Sequence, residues 1–303
     1  MVEASHGLTP WAHVIVVLLA GAGMLVIVPL GLSLMAAPGL GVATARRWWV
    51  VVALPAAVSL WLPRGLVTAT LALPYLTAAS VLLTGSLIET GSRGHDRRGR
   101  RAGVQKWGFD LALLTALAGP VIGGCALVAE RAGYRLFGFG LDTLALTVAH
   151  FHYAGFAAAL VAALLLDRQP GPATTVAAWC VPGGTLIVLI GYFAGDAVQL
   201  AGAAVLTLGM WLTGWVTWRT RRPFDRVTRA LLGVGAAVPI ATMLLALDWA
   251  AGLPHLSVSW MVATHGVANA LGFALCSLLA WRRVWGVVLV PLTPRKAPLA
   301  SGT

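Results

Sequence analysis

Charge is what this chain has least of. Only 10% of its 303 residues are charged, against about a quarter in a soluble domain, and the acidic ones number just 10. With 59% hydrophobic residues and a mean hydropathy of +0.85, that shortage excludes a water-soluble globular fold and predicts an integral membrane protein. Cysteine is scarce too. Cys125, Cys180 and Cys276 lie in apolar runs at unrelated spacings, which gives no CxxC site and makes them small packing residues. The sequence has no phosphate-binding loop, HExxH, CxxCH or EF-hand loop, and no Asp or Glu near mid-membrane. ATP-driven transport by this chain alone and a buried carboxylate ion carrier are therefore not expected. Lysine is limited to Lys106 and Lys296, and Ala, Gly and Val abound, a composition that fits a GC-rich bacterial genome and a bacterial plasma membrane.

What remains is apolar and long. Runs of about 20 residues recur, each able to cross roughly 30 Å of hydrocarbon. Because lipid cannot satisfy open backbone groups and the runs lack a barrel strand's alternation, the expected fold is all-α, a polytopic transmembrane helical bundle forming one membrane domain over 1–303. Nine helices are predicted at about 11–36, 47–62, 65–88, 108–129, 143–166, 174–195, 197–218, 229–248 and 258–281. The second is short, so helices two and three are expected to form a tight hairpin or a re-entrant pair. The first span, too long for a signal-peptide core, is expected to remain as a helix.

The formal charge of +11 sits in loops between spans, which points to topology and anionic headgroups, the lipid bilayer rather than nucleic acid being the partner. With the N-terminus outside, all Lys and Arg except Arg64, Arg131 and Arg135 fall inside, including the basic loop 93–106 and the tail Pro291–Thr303. The basic asymmetry predicts N-outside, C-inside.

Against this background two stretches stand out. Helix five carries Ala149-His150-Phe151-His152-Tyr153-Ala154-Gly155-Phe156, and helix nine carries Thr264-His265-Gly266-Val267-Ala268-Asn269. Ionisable side chains are costly in hydrocarbon and need named partners. Both helices run inward in the expected topology, and His150 and His265 each lie about seven residues in, roughly 10 Å deep. His150 shares a face with Thr143, Thr147 and Ala154, while His152 lies about 160° away with Gly155 and Phe156. His265 and Asn269 are one turn apart on one face. The expected polar core is His265 and Asn269 facing His150 or His152, with Tyr153 nearby. Around it the sequence places Glu130, Asp142 as an N-cap, Tyr192 and Asp196 at i, i+4, Gln199, Asp248 and His255 towards the same side. Six of the seven histidines, all but His95, fall outside or in the outer half. The candidate substrate-binding residues are thus His150, His152, Tyr153, His265, Asn269, Asp196 and Asp248. Gly119-Pro120 with Gly123-Gly124, and Pro182-Gly183-Gly184, mark expected helix interruptions of the kind that line transporter sites, while the GxxxG spacings of Gly119/Gly123 and Gly191/Gly195 equally suit close helix packing.

HFHYAGF (150–156) and MVATHGVANALGF (261–273) resemble the two hallmark segments of the YndJ-like integral membrane family, a bacterial family often labelled as transporters without an established substrate. The resemblance extends from the early helices to about Trp285. It implies a polytopic plasma-membrane protein and brings no catalytic residues. Its motif positions here are His150, His152, Tyr153, Gly155, Phe156, His265, Gly266, Asn269 and Gly272.

Transport is the leading function, with a small polar or ionic ligand in an outward-facing cavity. The alternatives are a redox or assembly protein holding a transition metal or haem on His150, His152 or His265, a membrane hydrolase, and a non-catalytic regulatory subunit in which the histidines only pack.

Overall fold

The computed structural model describes residues 7–35, 40–92, 103–253 and 256–288. The expected basic loop, the C-terminal tail, His255 and His95 lie outside them, apart from the loop's last residues. Among the described residues the chain is 87% helical with no strand, and nine helices are present. These are α1 (Pro10–Leu32), α2 (Leu40–Ser59), α3 (Leu66–Ser92), α4 (Val104–Arg131), α5 (Leu141–Arg168), α6 (Pro172–Ala194), α7 (Asp196–Thr220), α8 (Arg226–Ala250) and α9 (Val258–Val288). All except α2 are long and apolar enough to cross a membrane, whereas the apolar part of α2 is only Arg47–Ser59. The helix begins earlier than its hydropathy suggested, and with α3 it makes a tight hairpin through residues 60–65.

The arrangement is a ring around one helix. Successive pairs α1–α2, α2–α3, α3–α4, α4–α6, α6–α7, α7–α8, α8–α9 and finally α9–α1 are in contact, and α5 touches α1, α4, α6, α7 and α9 from the centre. Within α5, 89% of the apolar span is buried, where no other span exceeds 56%. Its sequence explains the place it takes. Ala157, Ala158, Ala159, Ala162 and Ala163 are spread over every face and are all buried, so neighbours approach from all sides, and a helix apolar all round belongs in the interior.

The anticipated interruptions in helices four and six are absent. Both α4 and α6 run on through Pro120 and Pro182, as membrane helices commonly do when neighbours cover the loosened turn. The irregular turns are elsewhere, in four π-helical segments: Gly23–Ile27 in α1, Phe151–Ala157 in α5, and Val262–Gly266 and Ala268–Leu275 in α9. Two further expectations are corrected. Asp142 is not the cap of α5, a place held by Gly140. Instead it accepts a hydrogen bond from the Leu8 amide at 3.0 Å and ties down the entry to α1. Tyr192 and Asp196 are not on one helix, because Gly195, at φ +111°, turns the chain between α6 and α7.

One end of the bundle holds a buried ionic lock. Glu130, fully buried at the end of α4, takes a forked contact from Arg131, with Nε to Oε2 at 2.5 Å and Nη2 to Oε1 at 2.6 Å, and a third from Arg64 at 2.9 Å. Arg131 also donates to the carbonyls of Ser59 and Leu62 at 3.0 and 3.1 Å, satisfying groups that the end of α2 leaves open. Two of the three basic residues that the expected topology places outside are thus held in structural pairs. At the opposite, arginine-rich end, Asp225 caps α8 through the amides of Val227 and Thr228 and meets Arg283 at 3.2 Å.

Removing one partner of a buried, fully bonded ion pair strands the other charge. Glu130→Ala is expected to destabilise the protein by about 3–5 kcal/mol, and Arg64→Ala, which removes a half-exposed partner, by less than about 1 kcal/mol, as read from thermal unfolding in detergent. Asp225 gives a pH signature. Hydrogen bonds from the Thr228 hydroxyl and amide, then Arg283, hold its carboxyl down to about 2. A carboxyl lowered in the folded state contributes stability that is full above its ordinary value near 4 and lost as pH falls towards 2. Asp225→Asn should flatten the pH dependence of unfolding between about 4 and 2 and leave it unchanged near neutrality.

Candidate functional site

A π turn widens the helix and leaves a carbonyl without its usual donor four residues on. In this bundle neighbouring side chains supply the missing N–H or O–H. The carbonyl of Leu19, whose share of the Gly23 amide is divided with Ala20, accepts from the Tyr153 hydroxyl at 2.9 Å. Met24 in the π segment of α1 accepts from the Trp49 indole at 2.9 Å. Val148, just ahead of the π segment of α5, accepts from His152 Nδ1 at 2.5 Å, and His265 in α9 accepts from the Asn269 amide at 2.9 Å. The π segment of α1 packs on that of α5, which packs on that of α9. The two conspicuous sequence stretches therefore meet through their irregular turns.

The two histidines of α5 take opposite roles. His152 is fully buried. Because a carbonyl only accepts, its Nδ1 carries the proton given to Val148, and its Nε2 is the acceptor for the Tyr75 hydroxyl at 2.5 Å. Tyr75 is itself fully buried and meets the Trp49 ring edge-on at 5.3 Å. Glycines make the room. A Cβ on Gly23 would fall 2.7 Å from the His152 side chain, and one on Gly119 would fall 2.6 Å from the Phe151 carbonyl oxygen. His152 is thus a neutral side chain with both nitrogens engaged, locked between α1, α3 and α4.

His150 points away from this interior. Its side chain is exposed on the outside of the bundle. Among the described residues neither of its nitrogens has a hydrogen-bond partner; its one ring contact is with Phe151. The half-buried His265 gives its Nδ1 proton to the Thr242 carbonyl at 2.7 Å, so Nε2 keeps a free lone pair. A closed circuit fixes it there, since the Thr242 hydroxyl donates to Asn269 Oδ1 at 3.0 Å and Asn269 Nδ2 returns to the His265 carbonyl.

α1, α5 and α9 run parallel, in register through Leu8 on Asp142 and Thr9 on Ser259 at 3.0 Å, so His150 and His265 lie at nearly the same depth. The structure joins His265 and Asn269 in one circuit with Thr242, leaves His150 exposed on the outer face of α5 and buries His152 and Tyr153 on its inner face. Asp248 is half-buried about two turns further along α8 from Thr242, and Asp196 is exposed at the start of α7; no hydrogen bond joins either to the histidine circuit. Among the described residues no three His, Cys, Asp or Glu side chains gather as a metal cluster. A cavity of about 20 Å³ near Arg168, Gln169 and Trp281 lies at the far end of α5 and does not touch the histidines. Sequence reasoning missed Tyr75, Trp49 and Thr242. A tyrosine deep in an apolar span was a signal for the first, but Thr242, which holds His265 through its carbonyl and Asn269 through its hydroxyl, is one of many threonines in the spans and left none.

A family model described as YndJ-like protein matches residues 16–273, which takes in both histidine stretches. No curated protein and no solved structure matches.

Tyr75→Phe deletes only the hydroxyl that serves His152 Nε2 and leaves a buried acceptor open. Thermal unfolding should show a loss of about 1–3 kcal/mol, and Gly119→Ala, which presses a methyl into the backbone of α5, should lower the yield of folded protein more severely. Wild-type stability of both variants would rule out the described contacts.

Proposed function

The chain belongs to the YndJ-like family, and on that footing we propose that it is a multi-pass transporter of the bacterial plasma membrane whose small polar or ionic ligand binds between α5 and α9. One observation carries the proposal. At nearly one depth, both nitrogens of the exposed His150 and Nε2 of the half-buried His265 have no hydrogen-bond partner among the described residues. Unpaired polar groups at membrane depth are costly and mark ligand pathways. In this proposal the Glu130 end faces outside, the arginine-rich end faces inside, and Asp248 and Asp196 line the approach rather than the binding position.

The π segments supply the means of movement. π turns concentrate at functional sites, and here α1, α5 and α9 touch through theirs, with side-chain donors ready to exchange for the ordinary intrahelical ones. Passage of one widened turn into the regular form rotates the residues beyond it, which would swing His265 relative to His150. His152, Tyr153 and Tyr75 anchor the α5 side against which that movement occurs.

The test is flux in proteoliposomes of the full chain, measured for a panel of monovalent and divalent metal cations, small anions and amino acids. At least one probe should move in wild-type vesicles, and His150→Ala and His265→Ala should each cut its rate at least about tenfold, the cost of roughly 1.4 kcal/mol of lost ligand interaction. Equal rates in wild type and both variants across the panel would refute the proposal.

A further inference from the structure

Away from the histidines, at the arginine-rich end, Val227, Leu231, Leu279, Arg282 and Arg283 line an open groove of about 540 Å³ between α8 and α9. Val227 and Leu231 are one turn apart on α8, and Leu279 lies one turn ahead of Arg282 and Arg283 on α9, so each helix turns one face to the groove. α8 starts at this end and α9 finishes there. Leu231 and Leu279 are therefore deeper in the spans, and the two guanidiniums stand at the rim. We propose that this groove holds one anionic phospholipid of the membrane, its phosphate on Arg282 and Arg283 and the start of an acyl chain along Val227, Leu231 and Leu279. The assignment does not depend on the transport reading.

Charge and depth choose the occupant. Arg283 is held in place, its Nε donating to the Thr228 hydroxyl at 2.9 Å and its Nη2 to Asp225 at 3.2 Å. Arg282 beside it is exposed and has no hydrogen-bond or ion-pair partner among the described residues. No Asp or Glu lines the groove, and Asp225 is already engaged by Val227, Thr228 and Arg283. The rim thus keeps an uncompensated positive charge, which favours a net anionic headgroup over a zwitterionic one, as basic pockets between membrane helices do. Below the rim the walls are aliphatic and face the bilayer. An acyl chain fills such a wall without bringing polar groups, whereas a peptide would bring backbone N–H and C=O groups with no partner there. The arginine stems lie along the same apolar surface while their heads reach phosphate level. α8 and α9 are also the helices joined by the Thr242–His265–Asn269 circuit, so a lipid seated here braces that pair from its other end.

The full chain, delipidated in detergent and titrated with phosphatidylglycerol under native mass spectrometry, should take up one such lipid in preference to phosphatidylcholine of the same acyl chains. Arg282→Gln should weaken that binding about fivefold, the factor expected for one arginine at a membrane surface, and leave the unfolding temperature of the lipid-free protein unchanged, because the side chain has no partner to lose. Leu279→Trp, which fills the groove and keeps both charges, should weaken binding at least as much. Arg222→Gln removes an exposed arginine at the same end that does not line the groove, and it should bind as wild type does. Phosphatidylcholine held as tightly as phosphatidylglycerol would mean an ordinary boundary lipid, and an equal loss in Arg222→Gln and Arg282→Gln would mean diffuse surface charge; either overturns the assignment. Wild-type binding in both groove variants overturns it as well, as does glycerol phosphate displacing the lipid at equal concentration, which would mark a site for a free phosphate ester.

Discussion

A single enclosure governs this molecule. α5 is surrounded by a closed ring of eight helices, so no polar atom on its inner faces can find water, and every one must be answered by a neighbour. That requirement explains why His152 is gripped at both nitrogens, why Tyr75 and Trp49 reach inward from α3 and α2, and why the residues facing His152 from α1 and α4 are glycines. The alanine-rich second half of α5 meets the same constraint without polar atoms. It packs by smallness, the usual means of helix association where lipid removes any hydrophobic preference for protein over solvent.

The π turns follow from this accounting. A widened turn exposes a carbonyl, and in hydrocarbon an exposed carbonyl is tolerated only with a donor in place. Trp49, Tyr153, His152 and Asn269 are those donors. Irregular backbone and buried hydrogen-bonding side chains therefore come as matched sets in α1, α5 and α9. The contrast is with the outer flank of α5, where the exposed His150 has no hydrogen-bond partner among the described residues and His265 uses only its Nδ1.

Much of this was legible in the sequence. Apolar length gave the helices, and helical spacing correctly set His150 and His152 on opposed faces and His265 above Asn269. The shared depth of His150 and His265 could be read by counting residues from the span ends. What could not be read has a physical reason in each case. A π turn differs from an α turn by one residue in the hydrogen-bond ladder and leaves no periodicity across five to eight residues. Pro120 and Pro182 looked like breaks because proline removes an N–H, yet both are buried against neighbouring helices and α4 and α6 run on through them. Asp142 looked like a cap because it stands at a helix start, but its carboxylate meets the backbone of Leu8, a pairing 134 residues apart in sequence that no local pattern encodes.

Closure of the ring also sets an order of assembly. α1, the first of the described helices to leave the ribosome, is held by α9, the last, through Thr9 and Ser259, which are 250 residues apart. Until α9 is made, the face of α1 that it will cover and the flank of α5 that bears His150 have only lipid beside them. That flank gains its neighbour only with the final helix, so a chain truncated before α9 would insert most of its spans and still lack the Thr242–His265–Asn269 circuit. Biogenesis thus carries a built-in check, because the closed ring and that circuit exist only in molecules whose translation has run past Asn269.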